Sequence, residues 1–374
     1  MLARVPAVEA LTVADPALTI RALRVRAVKV PMVEPHRTAS GTIVESPLVL
    51  TDVITEQGIT GHSYVFCYAA MALKPVALLI KGLEPLVVGQ PLAPVDIEQL
   101  LARRFRLLGP QGLTGMAMAA IDMALWDALA RAHALPLARL LGGTLKPIPA
   151  YGATGYDGAD GSARVAAAWA QRGFTAVKAK IGYPGVAEDI DVVRAIRREV
   201  GDNFSIMVDY NQSLTPVEAI ERGRRLDDER LAWIEEPTLA DDYTGHARVA
   251  QAVRTPVQCG ENWWGPHDMR KAIDAGASDY VMPDVMKIGG VTGWMRAAAL
   301  AEAHNLRMSN HLFVEVSAHL LCATPTAHWL EYAEWFNPII EQPLEVVDGR
   351  VTPGDRPGSG VEWNEDAVAR YLVE

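Results

Sequence analysis

The chain has 374 residues, of which 50% are hydrophobic and 21% are charged, so it is long enough for two globular domains. Its formal net charge of −10, without a block of lysine or arginine, argues against a nucleic-acid-binding protein. The three cysteines are far apart and charged residues interrupt the N-terminal apolar segment, so we expect a cytoplasmic protein without signal sequence, disulfide framework or structural zinc site.

The first predicted domain spans residues 19–145 and follows an irregular extension over residues 1–18. Alternating apolar residues predict three strands of a meander, over Ile20–Pro31, Pro47–Thr55 and Gly58–Phe66. The polar segment 32–46 between the first two strands is predicted to be a loop, which we interpret as a lid over a binding site. A plain surface loop is an equal alternative for this segment.

Three helical patterns follow these strands, over Ala70–Lys81, Pro94–Arg104 and Gly115–His133. Charged residues and a proline interrupt the apolar stretch around the first of them, so we predict no membrane span. The third is apolar on nearly all sides, which is typical of a buried helix. Strands followed by helices predict an α+β domain.

From residue 146 onward, short apolar segments alternate with helical patterns, which predicts a parallel α/β barrel over residues 146–343. The eight strands that would close it are Ile148–Ala153, Ala176–Lys180, Ser205–Asp209, Ala232–Glu236, Val257–Glu261, Tyr280–Asp284, Leu306–His311 and Trp329–Tyr332. Helices between them are predicted over Val186–Val200, Pro216–Leu226, Pro266–Ala275 and Gly293–His304. The last segment, residues 344–374, is predicted to pack back on the first domain.

Seven of the predicted barrel strands end in a charged side chain or a histidine, each about one strand–helix period after the last. These residues are Lys180, Asp209, Glu235, Glu261, Asp284, His311 and Glu331. The C-terminal ends of barrel strands form one face, where active sites lie. We therefore expect these side chains to meet in a single site.

Asp209, Glu235 and Glu261 end three adjacent predicted strands. Adjacent strands lie about 4.8 Å apart, so their carboxylates would converge and repel one another unless a cation bound them. A set of oxygen ligands without cysteine or histidine favours Mg²⁺, with Mn²⁺ as the alternative, over zinc. Three unrelated surface acids are the competing interpretation, and the matched spacing argues against it.

Lys178 and Lys180 are two residues apart, so both side chains point to the same face of their strand. Val177 and Ala179 suit the face toward the helices, so we predict that the lysines point into the barrel. An outward, solvated pair is the alternative. Repulsion between two neighbouring lysines is expected to lower the pKa of at least one of them toward that of a usable base.

Asp284 and His311 end two further adjacent strands, where the carboxylate would fix the tautomer of the histidine and make it a better base. A buried histidine of the core is the alternative. Glu331 ends the last strand in apolar surroundings, so we expect a raised pKa and a carboxyl group that donates a hydrogen bond, although an ordinary acid at a strand end is also compatible. Asn211 lies on the same face as Asp209 and is predicted to reach a substrate hydroxyl group.

Several motifs together resemble the mandelate racemase branch of the enolase superfamily, over roughly residues 20–340. They are KAKIGYP, IMVDYNQSL, WIEEPT, GENWWGP, MPDVMKIGGVTGW, HLFVEVSAHLL and TPTAHWLE in the barrel and AAIDMALWDALA in the first domain. The resemblance implies an α+β capping domain on a modified (β/α)8 barrel of the enolase-like β7α type. It also implies a homo-oligomer, an octamer in the family.

The resemblance further implies roles for the candidate residues. Asp209, Glu235 and Glu261 would be the Mg²⁺ ligands. Lys180 and His311, the latter oriented by Asp284, would be bases on opposite faces of the substrate. Lys178 and Glu331 would contact the substrate carboxylate as it becomes an enediolate.

The residues themselves support the same chemistry, because a base on each face allows a proton to leave one side and return to the other. We therefore predict racemisation or epimerisation of a 2-hydroxycarboxylate, a small-molecule substrate. The alternative is an acid-sugar dehydratase in which His311 acts as the acid. A remote alternative is a non-catalytic, metal-binding scaffold.

The predicted lid departs from the apolar lid of the family's type enzyme, because it carries His36 and Arg37. Ala153 replaces a serine near the substrate carboxylate in that enzyme. The polarity of the lid favours a hydroxylated acid over a bare aromatic one. The candidate substrate contacts are His36, Arg37, Ile43, Tyr68, Ala153, Asn211 and Leu312.

Overall fold

The computed structural model describes residues 18–38 and 41–373 of the chain. The predicted N-terminal extension therefore lies outside the described residues, except for Leu18. The described chain begins with one antiparallel sheet in the order β1-β2-β3. Its strands are β1 (Ile20–Thr38), β2 (Gly41–Thr55) and β3 (Thr60–Phe66). Apolar residues of the three strands, such as Val28, Val49 and Val65, are fully buried, as their alternation predicts.

The segment 32–46, predicted to be a loop, instead extends β1 and β2 into a long hairpin. Antiparallel pairing continues to Thr38 and Gly41, beyond a register irregularity that follows Pro31. Residues 39–40 lie outside the described part of the chain. The loop prediction is wrong because this end of the hairpin is a largely exposed ribbon, and exposed ribbons carry the polar side chains that are also typical of loops.

The helices of this part are α1 (Ala70–Val87), α2 (Pro94–Arg104), α3 (Leu113–Ala132) and the short α4 (Leu137–Leu140). Helix α1 continues past its predicted end because Leu83 and Val87 are buried in the core. Helix α3 is long and apolar enough to cross a membrane by length and composition alone, but 83% of that segment is buried inside the protein. It is therefore the buried core helix that its all-round apolar sequence predicts.

Eight strands form the barrel, in the order β4 to β10, with β11 pairing in parallel with β4. They are β4 (Ile148–Ala153), β5 (Ala176–Lys180), β6 (Ser205–Asp209), β7 (Ile234–Glu235), β8 (Val257–Cys259), β9 (Tyr280–Val281), β10 (Arg307–Met308) and β11 (Leu330–Glu331). The predicted α/β barrel is thus confirmed. The later strands are shorter than predicted. Glu261 lies in a turn beyond β8, and Asp284 and His311 pair with each other in an isolated parallel bridge beyond β9 and β10.

Helices alternate with these strands around the barrel. They are α5 (Gly158–Gln171), α6 (Val186–Val200), α7 (Pro216–Leu226), α8 (Tyr243–Ala252), α9 (Gly265–Ala275), α10 (Gly290–Ala303) and α11 (Val314–Ala323). Helix α7 shows why the sequence predicts where a helix begins. The hydroxyl group of Thr215 accepts a hydrogen bond from the Glu218 amide and the Glu218 carboxylate accepts one from the Thr215 amide, at 3.3 and 3.0 Å. Within the described residues, β11 is followed by a one-turn 3-10 helix, Asn337–Ile339, instead of a barrel helix.

The C-terminal segment contains β12 (Val346–Val347), β13 (Arg350–Val351) and α12 (Glu365–Tyr371). Its end contacts the first sheet, because the amide of Val373 donates to the carbonyl of Ala27 at 2.8 Å. The indole of Trp363 donates to Asp52 of β2 at 2.7 Å. Burial by itself would raise the pKa of Asp52, but hydrogen bonds from His62 and Trp363 lower it to about 2. The domain boundaries near residues 145 and 343 stay a prediction.

Candidate active site

Three carboxylates converge at the C-terminal face of the barrel, as predicted. Asp209 and Glu235 are register partners at the ends of β6 and β7, and Glu261 follows β8. Their nearest oxygen atoms all lie within 4.8 Å of one another, and all three side chains are buried. The Oε2 atom of Glu261 has no hydrogen-bond partner among the described residues. Buried, mutually repelling and partly unsatisfied carboxylate oxygens fit a hard divalent cation such as Mg²⁺.

Lys178 and Lys180 point into the barrel, as predicted. The Nζ atom of Lys178 contacts Glu235, and it lies 2.8 Å from Glu331 Oε1 and 3.7 Å from Asp209 Oδ2. The Nζ atom of Lys180 donates to Asp209 Oδ2 at 2.5 Å. Each lysine therefore has a carboxylate partner.

The expected lowering of a lysine pKa is wrong for this arrangement. Burial acts to lower the pKa of Lys178, but the charges of Glu235 and Glu331 outweigh burial and raise the pKa well above its usual range. Burial likewise acts to lower the pKa of Lys180, and the Asp209 carboxylate raises it on balance. Neighbouring carboxylates thus have a larger effect than repulsion between the two lysines.

His311 and Asp284 form the predicted pair. His311 Nδ1 lies 2.7 Å from Asp284 Oδ2, and the other Asp284 oxygen accepts from the amides of Met286 and Lys287 at 2.8 and 3.1 Å. Since the carboxylate accepts, Nδ1 donates and Nε2 is the atom left for chemistry. Burial acts to lower the pKa of His311, but Glu261 and Asp284 raise it on balance.

Glu331 lies in a charged environment, so the expectation of a raised pKa is wrong. Its Oε1 atom contacts Lys178, and its Oε2 atom accepts from the Leu312 amide at 3.1 Å and lies 3.9 Å from His311 Nε2. Burial acts to raise the pKa of Glu331, but Lys178 and His311 outweigh burial and lower it to about 2. The sequence near Glu331 is apolar, whereas its cationic neighbours come from other strands.

A cavity of about 320 Å³ opens beside these groups, and Lys180, His311 and Glu331 line it. Four of the seven predicted substrate contacts also line it, namely His36, Arg37, Ala153 and Leu312. The other three are not among its lining residues. Asn211 instead donates to both Asp209 oxygens, Tyr68 covers Lys287, and Ile43 pairs with His36 in the hairpin.

The hairpin contacts the barrel at the rim of this cavity. The ring of His36 lies 4.7 Å from that of Trp335, and Arg37 donates to Asp157 at 2.9 Å. Burial, followed by the positive charge of Lys180, lowers the pKa of His36 to about 3, so its ring is neutral. The loop prediction thus missed the strand geometry, although the two residues singled out in it reach the cavity.

Sequence reasoning missed the part of the cavity that faces α5, outside the barrel. Arg164 and Arg172 line it, and Arg172 pairs with Glu334 at 2.6 Å and stacks over Trp169 at 4.6 Å. These residues are not at strand ends, so the spacing of strands gave no signal for them. The segment Tyr332-Ala333-Glu334 differs in sequence from the family's type enzyme, and this difference was the available signal.

Two family models match the chain. Residues 20–142 match the model described as mandelate racemase / muconate lactonizing enzyme, N-terminal domain. Residues 161–367 match the model described as enolase C-terminal domain-like.

Solved structures and curated proteins give the same relationship. An enolase from Bradyrhizobium, solved with magnesium and mandelic acid, is 46% identical, with a TM-score of 0.92 over 96% of this chain and 99% of that one. The L-talarate/galactarate dehydratase of Salmonella typhimurium LT2 is 33% identical over 87% of this chain and 82% of its own. The D-galactarolactone cycloisomerase of Agrobacterium fabrum C58 is 31% identical over 95% of this chain and 99% of its own. The chain therefore belongs to the mandelate racemase subgroup of the enolase superfamily, whose enzymes use Mg²⁺.

Proposed function

We propose that this enzyme removes the α-proton of a 2-hydroxycarboxylate and returns a proton to either face, so that it racemises or epimerises its substrate. The observation that carries the proposal is a cavity with two bases. Lys180 and His311 both line the cavity, from β5 and from the turn after β10. In the barrel order, four other strands separate β5 from β10 on one side, which supports a base on each face of a bound substrate.

The proposed metal ligands are Asp209, Glu235 and Glu261, and a bound Mg²⁺ would stabilise the negative charge that develops on the substrate carboxylate. Lys178, fully buried beside them, supplies a positive charge at the same place. The carboxylate of Glu331 lies 2.8 Å from the ammonium group of Lys178 and therefore positions that group.

The His311–Asp284 pair can take or give a proton at Nε2. Asp284 keeps its charge and stabilises the imidazolium ion that forms when Nε2 takes the proton. The two backbone amides on the second Asp284 oxygen fix that carboxylate. The hydrogen bonds therefore hold the pair in one orientation, with Nε2 as the ring nitrogen left for the substrate.

Dehydration of an acid sugar is the second candidate function, and the charged outer part of the cavity favours it. Arg37, Arg164 and Arg172 suit a polyhydroxylated or anionic chain better than a phenyl ring. In this reaction Lys180 would remove the α-proton, and His311 would protonate the β-hydroxyl group as it leaves as water. The resulting enol takes up a proton at C3 and loses its hydroxyl proton to give a 2-keto acid. The names of the curated dehydratases and cycloisomerases support the same candidate.

A screen separates these functions. We expect that incubation with Mg²⁺ and a library of aryl 2-hydroxyacids and sugar acids will change the optical rotation for some acids without forming a 2-keto acid. Polarimetry and a keto-acid assay are the measurements. A keto product without inversion would establish dehydration instead. If Mg²⁺ bound but no acid exchanged its α-proton in D₂O, the scaffold interpretation would replace both.

The preference between polar and aryl acids should depend on His36. Because its neutral ring is a wall of the cavity, His36→Leu should remove a polar contact and raise the kcat/KM ratio of arylglycolate to hydroxylated acid. A change of about 10-fold is expected, since one pocket group is worth roughly 1–3 kcal/mol.

Arg37→Leu compares the other hairpin residue that lines the cavity. Arg37 is 58% exposed at its side chain and is held by Asp157, so a smaller shift in the same ratio is expected. An unchanged ratio in His36→Leu would mean that the hairpin does not select the substrate.

We also propose a homo-oligomer, as the family resemblance implies. Leu107 and Leu108, in the loop between α2 and α3, are 101% and 73% exposed and support an additional contact surface there.

A further inference from the structure

Lys287 is a third lysine at the C-terminal face of the barrel, buried like Lys178, and the proposed chemistry does not use it. Its Nζ atom donates to Asn262 Oδ1 at 2.6 Å and lies 4.5 Å from the centre of the Tyr68 ring. Its backbone amide donates to Asp284 at 3.1 Å. Lys287 therefore contacts Asp284 of the His311–Asp284 pair and also Asn262, which follows the proposed metal ligand Glu261.

The amide group of Asn262 connects Lys287 to two carboxylates. A lysine only donates, so the oxygen of Asn262 faces Lys287 and its nitrogen faces the acids. That nitrogen donates to Glu236 Oε2 at 2.7 Å and to Glu261 Oε1 at 3.3 Å. The hydrogen bonds thus fix the direction of the Asn262 side chain and constrain both glutamates.

The hydrogen bond from Asn262 fixes the side chain of Glu236, which matters because of where Glu236 lies. It follows Glu235 directly, is 1% exposed, and its Oε1 atom has no hydrogen-bond partner in the described part of the chain. A fourth free carboxylate so close to Asp209, Glu235 and Glu261 would repel them or compete with them for the cation. Asn262 holds it through one oxygen, while the same amide aims Glu261.

We propose that Lys287 and Asn262 form a brace that positions Glu261, restrains Glu236 and thereby sets the affinity of the site for Mg²⁺. The proposal rests on the ligand set given under the proposed function. Two effects of Lys287 have opposite signs. Its positive charge repels a nearby cation, so removal of the charge alone would tighten Mg²⁺ binding. Loss of positioning would weaken it, and groups that orient metal ligands typically contribute about 10–100-fold in affinity.

Calorimetric titration of Mg²⁺ into metal-free protein decides between these effects. We expect Lys287→Met to raise the Kd for Mg²⁺ by about 10–100-fold. Lys271→Met is the matched control, because Lys271 lies on α9 with its side chain 61% exposed and paired only with Asp268 among the described residues. The Kd of the Lys271→Met protein for Mg²⁺ should equal that of the unmodified protein. An equal or lower Kd in Lys287→Met would overturn the proposal.

Asn262→Leu tests the brace without a change of charge. It should raise the Kd for Mg²⁺ by a similar factor, and an unchanged Kd would also overturn the proposal. Circular dichroism establishes that each variant is folded, and Asn262→Leu decides the question if Lys287→Met does not fold.

Asp209→Asn separates failure of the brace from failure of the ligand set. Mg²⁺ binding should be lost in this variant. If it persists, the ligand set is wrong. If it is lost while Lys287→Met and Asn262→Leu bind Mg²⁺ like the unmodified protein, only the brace is wrong.

Discussion

Replacement of His311 by asparagine should stop α-proton exchange from one enantiomer of the substrate while the other enantiomer still exchanges through Lys180. In the proposed mechanism each base serves one face, and Nε2 of His311 is the nitrogen left for chemistry because Nδ1 is held by Asp284. Net racemisation needs both bases, so it should fall by about 10²–10⁴-fold, the usual contribution of a general base. Proton NMR of each enantiomer in D₂O measures the exchange directly.

Lys180→Arg should give the converse result, with exchange retained only for the enantiomer that His311 serves. His304→Asn is a suitable control, because His304 is exposed at the end of α10 and outside the cavity. If both enantiomers lose exchange equally in each variant, the assignment of one base to each face is wrong. A concerted dehydratase would then be the better account.

The second large effect is expected from Glu261→Gln. In the proposed ligand set, loss of the Glu261 charge removes a metal ligand, and it also weakens the contacts of this carboxylate with Asn262 at 3.3 Å and with His311 Nε2 at 3.5 Å. Activity should fall to background even with excess Mg²⁺. The unmodified protein should gain about 2.7 kcal/mol of stability when Mg²⁺ is present at 100 times its Kd, and the variant should gain little.

Thermal unfolding with and without Mg²⁺ measures this difference, after a chelator has removed bound metal. Without metal, the variant should unfold at the lower temperature of the two. Although burial acts to raise the pKa of Glu261, the positive charges of His311 and Lys178 lower it to about 2 and thus stabilise the charged form of Glu261 in the folded protein. Glu302→Gln, an exposed change on α10, should leave both the activity and the Mg²⁺-dependent shift unchanged. Full activity of metal-stripped Glu261→Gln would refute a role for this carboxylate in metal binding.

The barrel and the positions of its functional side chains could be predicted because each is a local property of the sequence. Asp209, for example, ends a run of apolar residues, and the strand it predicts, Ser205–Asp209, has those bounds in the structure. One strand–helix period separates it from Glu235. Local patterns repeated at a fixed period therefore specify both the fold and the residues at its C-terminal face.

The predictions that failed, and the contacts that were not predicted, depend on residues that are distant from each other in the sequence. The pKa of Glu331 is lowered by Lys178 and His311, which no pattern around Glu331 predicts. The contact of Lys287 with Asn262 joins two turns that follow different strands. Polarity alone also could not distinguish an exposed ribbon from a loop over residues 32–46.

The hairpin of β1 and β2 divides a single pair of strands between two kinds of environment. The side chains of Val28 and Val49 are fully buried in the core, whereas His36 and Arg37 form a partly exposed wall of the cavity. Substitutions in the distal part should therefore alter recognition at little expense in folding free energy. Related enzymes can therefore acquire new substrates through substitutions at a few residues of the exposed end of the hairpin, while the reactive groups of the barrel stay unchanged.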